Sequence, residues 1–478
     1  MINTENFEYP KLLKYFEEIS AIPRASYHEQ MIAQYLCDFA LSRGLEYYHD
    51  EANNVLINLP ATEGCEDRPA LLLQGHTDMV CEKNEGVEHD FDTEGLDLYE
   101  EDGWIRARGT TLGADNGVAV AVMLCVLDGE VGAHGPIQCL FTATEEVGLD
   151  GVRAMDYSKI YARRMINMDS ADESMIITGC AGGVRSNVCF DPKPRKVKTE
   201  YLATVKISGL YGGHSGEDID KGRANANKLM GRVLNSLCVG DACLVSIKGG
   251  SKENAIPREC VATLAVKDRD AVEQKVGELC KTLSDGLCPS DADFSLTVCF
   301  EPAQKAVCLD EGTQDAVIFL MHTAANGIFD MNHGVDGIVE WSRNLGVVRA
   351  DCESAMLVFN SRSSYPSRID ASIAELDNAA RILGGRTEHY NRYPGWTFAP
   401  VSEIRDSYSA AYEELFGAKP DTTVIHAGLE CGYISEAIPD MDIISCGPIV
   451  KDLHSPDEKL DKASFARFFK VIKKVIEK

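Results

Sequence analysis

Short apolar runs alternate with segments of helical periodicity over residues 10–180. Leu12, Leu13 and Phe16 have the spacing of one amphipathic helix, and a second helical pattern follows the break at Pro23. Residues 118–128 form an almost wholly apolar run, which predicts a buried helix entered from a glycine-rich loop. This alternation predicts an α/β fold with a buried sheet. The predicted strands are residues 54–59, 70–74, 136–144, 164–168 and 175–178.

A change of composition near residue 184 separates this region from the next. Residues 191–200 are basic and contain proline within an acidic chain, which is typical of a domain boundary. Beyond them strands again alternate with helices, which predicts a separate α/β domain with its own core. The pattern of long elements returns after residue 396. The strands predicted in the middle region are 202–207, 243–248, 260–266, 294–300 and 354–360, and the helices are 225–236, 271–284, 313–324 and 371–383.

Composition and charge narrow the class of protein. The 478 residues include 75 acidic and 47 basic side chains, and the formal net charge is −28. Nucleic-acid binding requires clustered basic residues, so we expect no nucleic-acid partner. The 17 cysteines are scattered and form no Cys-x-x-Cys pair, which is typical of reduced thiols in the cytoplasm. We find neither a secretory signal nor an apolar run long enough to span a bilayer, and we predict a cytoplasmic protein without a membrane partner.

Polar residues with metal-binding chemistry follow the predicted strand 70–74. His76 and Asp78 lie two residues apart, so both side chains can face one site in an extended chain. A neutral imidazole binds zinc well, and a carboxylate beside it can fix its orientation. A hydrogen-bonded structural histidine is the alternative interpretation. Asp115 stands at the entrance to the helix 118–128, where a carboxylate could be a metal ligand or an ordinary helix N-cap.

Further carboxylates follow the next predicted strands. Glu145 and Glu146 come after the strand 136–144, and Asp169 follows the strand 164–168. A solvated acidic turn would explain the two adjacent glutamates, but one could instead bind a metal while the other transfers protons. Ligands bind at the carboxyl ends of the strands in open α/β sheets. The recurrence of such residues at successive strand ends favours a shared metal site.

Histidines also occur in two loops further along the chain. His214 lies in Gly-Leu-Tyr-Gly-Gly-His-Ser-Gly, whose glycines permit close approach to a ligand, and a histidine in a surface turn is the alternative. His454 precedes Ser-Pro near the end of the chain and is a candidate loop ligand. Asn254 and Arg362 lie near presumed strand ends, where each could equally belong to a turn.

Seven motifs occur in an order that resembles a known family. They are GHTDMV, GTTLGADNG, FTATEEVGLDG, INMDS, GLYGGHSGEDI, HAGLECG and DLHSP. Together they resemble the aminoacyl-histidine dipeptidases, also called peptidase D, which are carnosinase-like members of the co-catalytic zinc peptidase clan. The resemblance implies a zinc-peptidase-like, two-domain α/β fold. Its mixed-sheet catalytic domain would be discontinuous, residues 1–183 and 396–478, with residues 184–395 inserted as an α/β lid domain. Two tandem lobes would explain the length of this insertion.

The resemblance also implies an arrangement of two divalent metal ions. His76 and Asp169 would bind one ion, and Glu146 and His454 would bind the other. Asp115 would bridge both ions through its two carboxylate oxygens, and the peptide bond after it would be cis. Zinc is the expected metal, and manganese and cobalt tolerate the same ligands.

Catalytic and substrate-binding roles follow from the same resemblance. Glu145 would be the general base, and Asp78 would orient the histidine that precedes it. His214 from the lid would stabilise the oxyanion, acting within its own chain or across a homodimer. The positions that line the substrate site in the family correspond to Asn254, Arg362 and Gly428. The guanidinium among them suits the terminal carboxylate of a small peptide.

The activity implied by the resemblance is hydrolysis of unblocked dipeptides, Xaa-His among them, by a water molecule activated between two metal ions. N-acyl amino acid deacylases and tripeptide aminopeptidases share this site architecture, so both remain alternatives. A binding protein without activity is disfavoured, because every expected metal ligand and the general base are present.

Overall fold

The computed structural model describes residues 2, 4–5, 7–238 and 242–478. Its α-helices are α1 (Pro10–Ser20), α2 (Gln30–Arg43), α3 (Ala114–Leu127), α4 (Asp150–Ala154), α5 (Ala226–Leu237), α6 (Arg269–Ser284), α7 (Glu311–Thr323), α8 (Pro366–Ile382), α9 (Glu403–Phe416), α10 (Cys431–Ala437) and α11 (Lys462–Ile476). Its strands are β1 (Glu46–His49), β2 (Val55–Leu59), β3 (Leu71–His76), β4 (Leu98–Glu101), β5 (Trp104–Ala107), β6 (Ile137–Thr142), β7 (Arg164–Asn167), β8 (Met175–Cys180), β9 (Gly182–Phe190), β10 (Arg195–Lys198), β11 (Tyr201–Ser208), β12 (Gly213–His214), β13 (Cys243–Gly249), β14 (Ala255–Ile256), β15 (Cys260–Val266), β16 (Ser295–Pro302), β17 (Lys305–Cys308), β18 (Gly327–Met331), β19 (Val339–Ala350), β20 (Ala355–Ser363), β21 (Arg386–Tyr393), β22 (Asp421–Ile425), β23 (Asp442–Ser445), β24 (Val450–Lys451) and β25 (Lys459–Asp461).

A mixed eight-stranded sheet carries the first group of predicted site residues. Its strand order is β1-β2-β6-β3-β7-β23-β8-β22. The central strand β3 runs parallel to both of its neighbours, β6 and β7, and all six of its residues are buried. Burial on both faces explains why β3 is a continuous apolar run rather than an alternating one. Because these three strands are parallel, their carboxyl ends meet at one edge of the sheet.

Helix α3 packs against β3 and fills the core beside the sheet. Leu71 and Leu73 of β3 join the buried residues of α3 in one hydrophobic cluster, which also includes side chains of α1, α2, α9 and α11. The helix comes closest to the strand at Gly75, where an added Cβ would overlap Ala119 Cβ and Asn116 Oδ1. Only glycine leaves room for this approach, which brings the start of α3 next to the end of β3.

Gly75→Ala is therefore expected to destabilise the protein by about 1–3 kcal/mol, the usual cost of inserting a methyl group into a well-packed core. Thermal unfolding measures the change as a lower melting temperature. The matched control is Gly277→Ala in α6, where an added Cβ meets no atom within 4 Å and alanine favours the helix. A melting temperature of Gly75→Ala at or above that of the wild type would contradict this packing.

A second, antiparallel sheet contains most of the middle of the chain. Its strand order is β16-β11-β15-β13-β19-β20-β9-β21, and β18 pairs with β19. Side chains of α5, α6, α7 and α8 join those of the sheet in one hydrophobic cluster. The two lobes suggested by the length of this region therefore share a single continuous sheet and one core. Together the two sheets and their helices confirm the predicted α/β class.

The chain forms two compact units. The first comprises Met1–Gly179, Trp396–Val424 and Leu429–Lys478, and the second comprises Cys180–Gly395 and Ile425–Gly428. The first domain boundary was predicted at residues 183–184. The first compact unit instead ends at Gly179 and the second begins at Cys180, because β9 already belongs to the second sheet. The basic residues 191–200, expected as a connector, include β10, which pairs with β17. The catalytic and lid roles assigned to the two parts of the chain stay predictions.

No disulfide joins the cysteines of the described residues, as their scattered positions predict. All 17 lie in the described ranges. Burial raises the pKa of the Cys125 and Cys139 thiols, which keeps them protonated and unreactive. Among the described residues, no helix combines the length and the apolar character needed to cross a membrane.

Candidate active site

Three parallel strands deliver their polar residues to one edge of the first sheet. β3 ends at His76, Glu145 and Glu146 follow β6, and Asp169 follows β7. Asp115 comes from the first turn of α3, and His454 comes from the loop between β24 and β25. The predicted metal ligands thus all belong to the first unit.

Asp115 faces two histidines, one through each carboxylate oxygen. Its Oδ1 lies 3.0 Å from His76 Nε2, and its Oδ2 lies 3.3 Å from His454 Nε2. Asp115 has non-helical φ and ψ angles of −80° and 106°, and its two carboxylate oxygens contact imidazoles instead of capping the helix. The Asp115–Asn116 peptide bond is cis, which confirms the expectation drawn from the resemblance. Asp115 therefore lies between two imidazoles, the placement expected of a bridging ligand.

Each histidine has a second carboxylate beside it. His76 Nε2 lies 3.7 Å from Asp169 Oδ1, and His454 Nε2 lies 3.2 Å from Glu146 Oε2. One histidine and one carboxylate therefore stand on each side of the shared Asp115. His76 is almost completely buried, whereas the side chain of His454 is half exposed, so one side of the site is open to solvent.

The carboxylates attract positive charge to this site. Burial and the neighbouring Asp115 raise the pKa of Asp169 to about 6. Hydrogen bonds to Asp115 and to Glu146 raise the pKa of His454 to about 10. Burial disfavours a charged His76, but its hydrogen bonds to the carboxylates outweigh burial and hold its pKa well above the usual value. The same electrostatic attraction would act on metal cations.

The donor set fits divalent cations. His76, Asp115 and Glu146 offer ligand atoms that all lie within 4.8 Å of one another. Glu146 Oε1 is buried and has no hydrogen-bond partner among the described residues, so its lone pairs are available to a cation. Imidazole nitrogen and carboxylate oxygen are the ligands that zinc takes in catalytic sites. The residues present can therefore hold the metal ions that the motifs imply.

Asp78 connects His76 with the two glutamates. Its Oδ1 accepts a hydrogen bond from the backbone N–H of Glu145 at 3.0 Å, and its Oδ2 accepts one from the N–H of Glu146 at 3.2 Å. His76 Nδ1 lies 3.1 Å from the Asp78 carbonyl oxygen and 3.4 Å from Oδ1. Asp78 thus contacts the imidazole mainly through its carbonyl, while its carboxylate fixes the backbone of the glutamates. The contact between the Asp78 carboxylate and the backbone of the two glutamates could not be predicted from the sequence.

Glu145 has the electrostatic environment of a proton acceptor. Burial raises its pKa well above the usual value, and the neighbouring Asp169 and Glu146 raise it further against the opposing effect of His76. A carboxylate whose pKa is shifted toward neutrality is a more effective general base than an ordinary surface glutamate. Glu145 therefore differs in environment from a solvated acidic turn.

His214 lies in the second unit and has a defined tautomer. It belongs to β12, which pairs with β14. Its Nδ1 accepts a hydrogen bond from the backbone N–H of Glu217 at 3.2 Å, so the proton of the neutral ring resides on Nε2. Burial and the charge of Arg362 lower its pKa, which keeps the ring neutral near pH 7. The Nε2–H group is therefore a neutral donor, as oxyanion stabilisation requires.

The other predicted substrate residues also belong to the second unit. Arg362 is buried, and its Nη1 donates to Tyr393 Oη at 3.0 Å. Its Nε has no hydrogen-bond partner among the described residues. Gly428 lies against the same tyrosine ring, where an added Cβ would come within 2.8 Å of a ring carbon. The carbonyl of Asn254 accepts from the N–H of Ser215 at 2.8 Å, which places it beside the loop of His214.

Glu430 is a fully buried carboxylate beneath the site that is not among the residues predicted from the sequence. Its Oε2 accepts hydrogen bonds from Gln74 Nε2 at 2.5 Å and from Thr142 Oγ1 at 2.7 Å. Gln74 in turn accepts from Asn167 Nδ2 at 2.6 Å. These contacts join β3, β6 and β7 just before their site residues. Glu430 does lie in the HAGLECG motif, and this position was the one signal for it in the sequence. Gly428 is the residue of that motif that was predicted to line the substrate site.

Similar proteins support the resemblance drawn from the motifs. The chain is 36% identical over 469 residues to a cytosol non-specific dipeptidase of Escherichia coli (strain K12), which covers 97% of this chain and 96% of that protein. The crystal structure of an aminoacylhistidine dipeptidase from Vibrio alginolyticus matches with a TM-score of 0.93 and 34% identity, over 100% of this chain and 98% of that chain. The aminopeptidase PepT of Bacillus cereus shares the fold, with a TM-score of 0.57 and 16% identity over 98% of each chain.

Most of the chain also matches the model of one peptidase family. Residues 72–478 match peptidase family M20/M25/M40. This range begins in the central strand that ends at His76 and includes every metal ligand that the motifs predict. The chain therefore belongs to peptidase family M20/M25/M40.

Proposed function

We propose that this protein is a cytoplasmic, metal-dependent dipeptidase that hydrolyses Xaa-His and other unblocked dipeptides. The observation that carries the proposal is the position of Asp115, whose two oxygens face His76 and His454 separately. Asp169 and Glu146 complete the two ligand sets. Two bound divalent ions would lower the pKa of a water molecule and polarise the scissile carbonyl. Zinc suits these ligands, and manganese and cobalt also accept them.

Glu145 transfers the proton in the proposed reaction. Its carboxylate takes a proton from the attacking water and delivers it to the amine that leaves. Asp78 fixes the Glu145 backbone through the hydrogen bond between Oδ1 and the N–H group. The proton acceptor is therefore held by the same residue that contacts His76, so that base and ligand keep a constant separation.

His214 and Arg362 recognise the reacting peptide in this proposal. His214 donates its Nε2 proton to the oxyanion that develops on the scissile carbonyl, because its Nδ1 is already occupied as an acceptor. Arg362 pairs with the terminal carboxylate of the substrate. Its buried Nε has no hydrogen-bond partner in the described part of the chain and is available for this contact. Asn254 and Gly428 line the same substrate site.

The substrate class rests on the relatives and on Arg362. The two proteins with 36% and 34% identity are both named dipeptidases, and the second is named an aminoacylhistidine dipeptidase. A guanidinium that binds a terminal carboxylate suits a short peptide. It would equally suit an N-acyl amino acid, so a deacylase is the alternative with the most support, and a tripeptide aminopeptidase is the next.

The test is hydrolysis of Gly-His, β-Ala-His and Ala-Ala by purified zinc-loaded protein, beside N-acetylated amino acids and Ala-Ala-Ala. We expect hydrolysis of the free dipeptides and at most slow hydrolysis of the acetylated compounds and the tripeptide. Faster hydrolysis of N-acetylated amino acids than of dipeptides would reject the dipeptidase in favour of a deacylase. Preference for Ala-Ala-Ala would favour the tripeptide aminopeptidase.

His214→Ala is expected to lower kcat by about 10²- to 10³-fold, the cost of removing one donor to an oxyanion. The metal content should stay unchanged, since His214 is not among the proposed ligands. Steady-state kinetics and elemental analysis measure the two quantities. The control is His333→Ala, an exposed histidine of the second unit, which should keep wild-type kcat. Loss of folding or of metal in His214→Ala would contradict the assigned role.

His214 could act within its own chain or across a homodimer, and these two arrangements have a separate test. Sedimentation equilibrium of the full chain gives the subunit number directly. Mixing His214→Ala with Glu145→Gln protein then distinguishes the two modes of action, because activity returns in a mixed dimer only where His214 acts across subunits.

A further inference from the structure

Two buried side chains of opposite charge contact the loop that carries Asp115. Glu458 and Arg24 are each only 2% exposed. Glu458 Oε2 accepts hydrogen bonds from the N–H groups of Leu112 and Gly113 at 2.8 and 2.9 Å, and its Oε1 accepts one from the N–H of Asp115 at 3.2 Å. Arg24 Nη2 donates to the carbonyl of Gly113 at 2.6 Å. The two charges thus contact the N–H and the C=O of one residue.

Arg24 also connects this loop with the end of β3. Its Nη1 donates to the carbonyl oxygens of Thr77 and Asp78 at 2.9 and 3.3 Å. These residues directly follow His76. Gly113 has a φ of +64°, and an added Cβ there would overlap Arg24 Nη2, so glycine is required for the contact. One guanidinium therefore fixes the backbone of His76 relative to the backbone of Asp115.

Glu458 connects the same loop with the other histidine. It lies four residues after His454, in the loop between β24 and β25. The N–H of Glu458 donates to the carbonyl of Ser455 at 3.1 Å, which closes a turn between the two residues. The carboxylate that accepts from Asp115 N–H therefore belongs to the segment that positions His454.

We propose that Arg24 and Glu458 are positioning residues that set the metal affinity of the site by fixing Asp115 relative to His76 and His454. This inference rests on the proposed two-metal function. Neither side chain contacts the proposed reacting atoms, and both act through backbone groups. Burying a charge is unfavourable unless the charged group is hydrogen-bonded. Here the side-chain hydrogen bonds go to the backbone of the segments that carry Asp115 and His76, and Glu458 itself belongs to the segment of His454.

Glu458→Gln tests the proposal. Glutamine keeps the shape of the side chain but replaces one acceptor oxygen by an NH₂ group, which would face backbone N–H donors. We expect zinc affinity, measured by competition with a chromophoric chelator, to fall by about 10- to 100-fold, as for other residues that orient metal ligands. We further expect kcat to fall with an unchanged KM. The matched control is Asp457→Asn, an exposed neighbour, which should keep wild-type zinc affinity.

Zinc affinity of Glu458→Gln equal to that of Asp457→Asn would overturn the proposal and leave Glu458 a structural residue. If Glu458→Gln does not fold, the proposal is tested with Glu458→Asp and Arg24→Lys. Both variants keep the charge, but aspartate has a shorter side chain and lysine has fewer hydrogen-bond donors. Unchanged zinc affinity in both would overturn the proposal. Because zinc binding is measured without peptide, this failure differs from failure of the dipeptidase proposal, which would appear as a zinc-loaded wild type without peptide hydrolysis.

Discussion

Glu145→Gln is expected to lower kcat by about 10²- to 10⁴-fold, the usual contribution of a positioned general base. Glutamine matches glutamate in size but cannot accept a proton at neutral pH. The backbone N–H of Glu145 still donates to Asp78 in this variant, so the position of the side chain should be kept. Steady-state kinetics on a dipeptide measure the effect, and elemental analysis measures the bound metal, which we expect to be unchanged.

Asp150→Asn is the control for this substitution. Asp150 begins α4, directly after the loop that carries Glu145. It is exposed, and its carboxylate accepts from Tyr27 Oη at 3.3 Å. Its amide variant should retain wild-type kcat. Near-normal turnover of Glu145→Gln would contradict the general-base role, and loss of metal would instead indicate that Glu145 is a ligand.

Asp115→Asn is expected to remove metal from both sides of the site. The amide offers one acceptor oxygen in place of two, and its NH₂ group would face one of the two imidazoles. Since each oxygen of Asp115 faces a different histidine, both ions should be affected. Affinity should fall by more than the roughly 10- to 100-fold caused by residues that only orient ligands. Metal stoichiometry after dialysis against a weak chelator measures the loss.

Two comparisons make this result specific. Asp169 lies beside His76 and belongs to only one of the two ligand sets. Asp169→Asn should therefore lower the number of bound metal ions per chain from two to one. Asp128→Asn, at the opposite end of α3, disturbs ion pairs with Lys11 and Arg43 and should leave the stoichiometry at two. If Asp115→Asn keeps both ions, or loses only one, the bridging role is wrong.

The sheet that carries the site was predictable because its central strands are buried on both faces. Three leucines open β3 and an apolar run fills most of α3. A polar candidate ligand stands beside each run, His76 at the end of the strand and Asp115 at the start of the helix. His76, Glu146 and Asp169 were therefore visible at strand ends. That they converge depends on β3, β6 and β7 being parallel, which the alternation of strands and helices favours.

The strands of the second sheet were less visible because several of its polar side chains are buried. β19 contains Glu340 and Arg343, which would indicate an exposed segment in a sequence. Arg343 forms a bidentate contact with Glu375 at 3.0 and 2.9 Å, and Glu340 accepts from the Ser364 N–H at 2.9 Å. The partners lie far away in the chain, so periodicity alone could not reveal that these charges are satisfied in the core.

The same limit applies to the residues that hold the site in place. Arg24, Glu430 and Glu458 are charged, and a charged residue in a loop is usually solvated. Their burial becomes evident only when segments hundreds of residues apart come together, as for Glu458 and Asp115, which are 343 positions apart. Motif resemblance predicts the ligands and the base, but it does not predict residues that act through backbone groups.

A zinc titration of the metal-free protein, with Gly-His hydrolysis and bound zinc followed together, tests the two-metal site. We expect no hydrolysis without metal and a rate that reaches its maximum when two zinc ions are bound per chain. A rate that is already maximal at one ion per chain, or a metal-free protein that hydrolyses the dipeptide at the full rate, would contradict the two-metal site around Asp115.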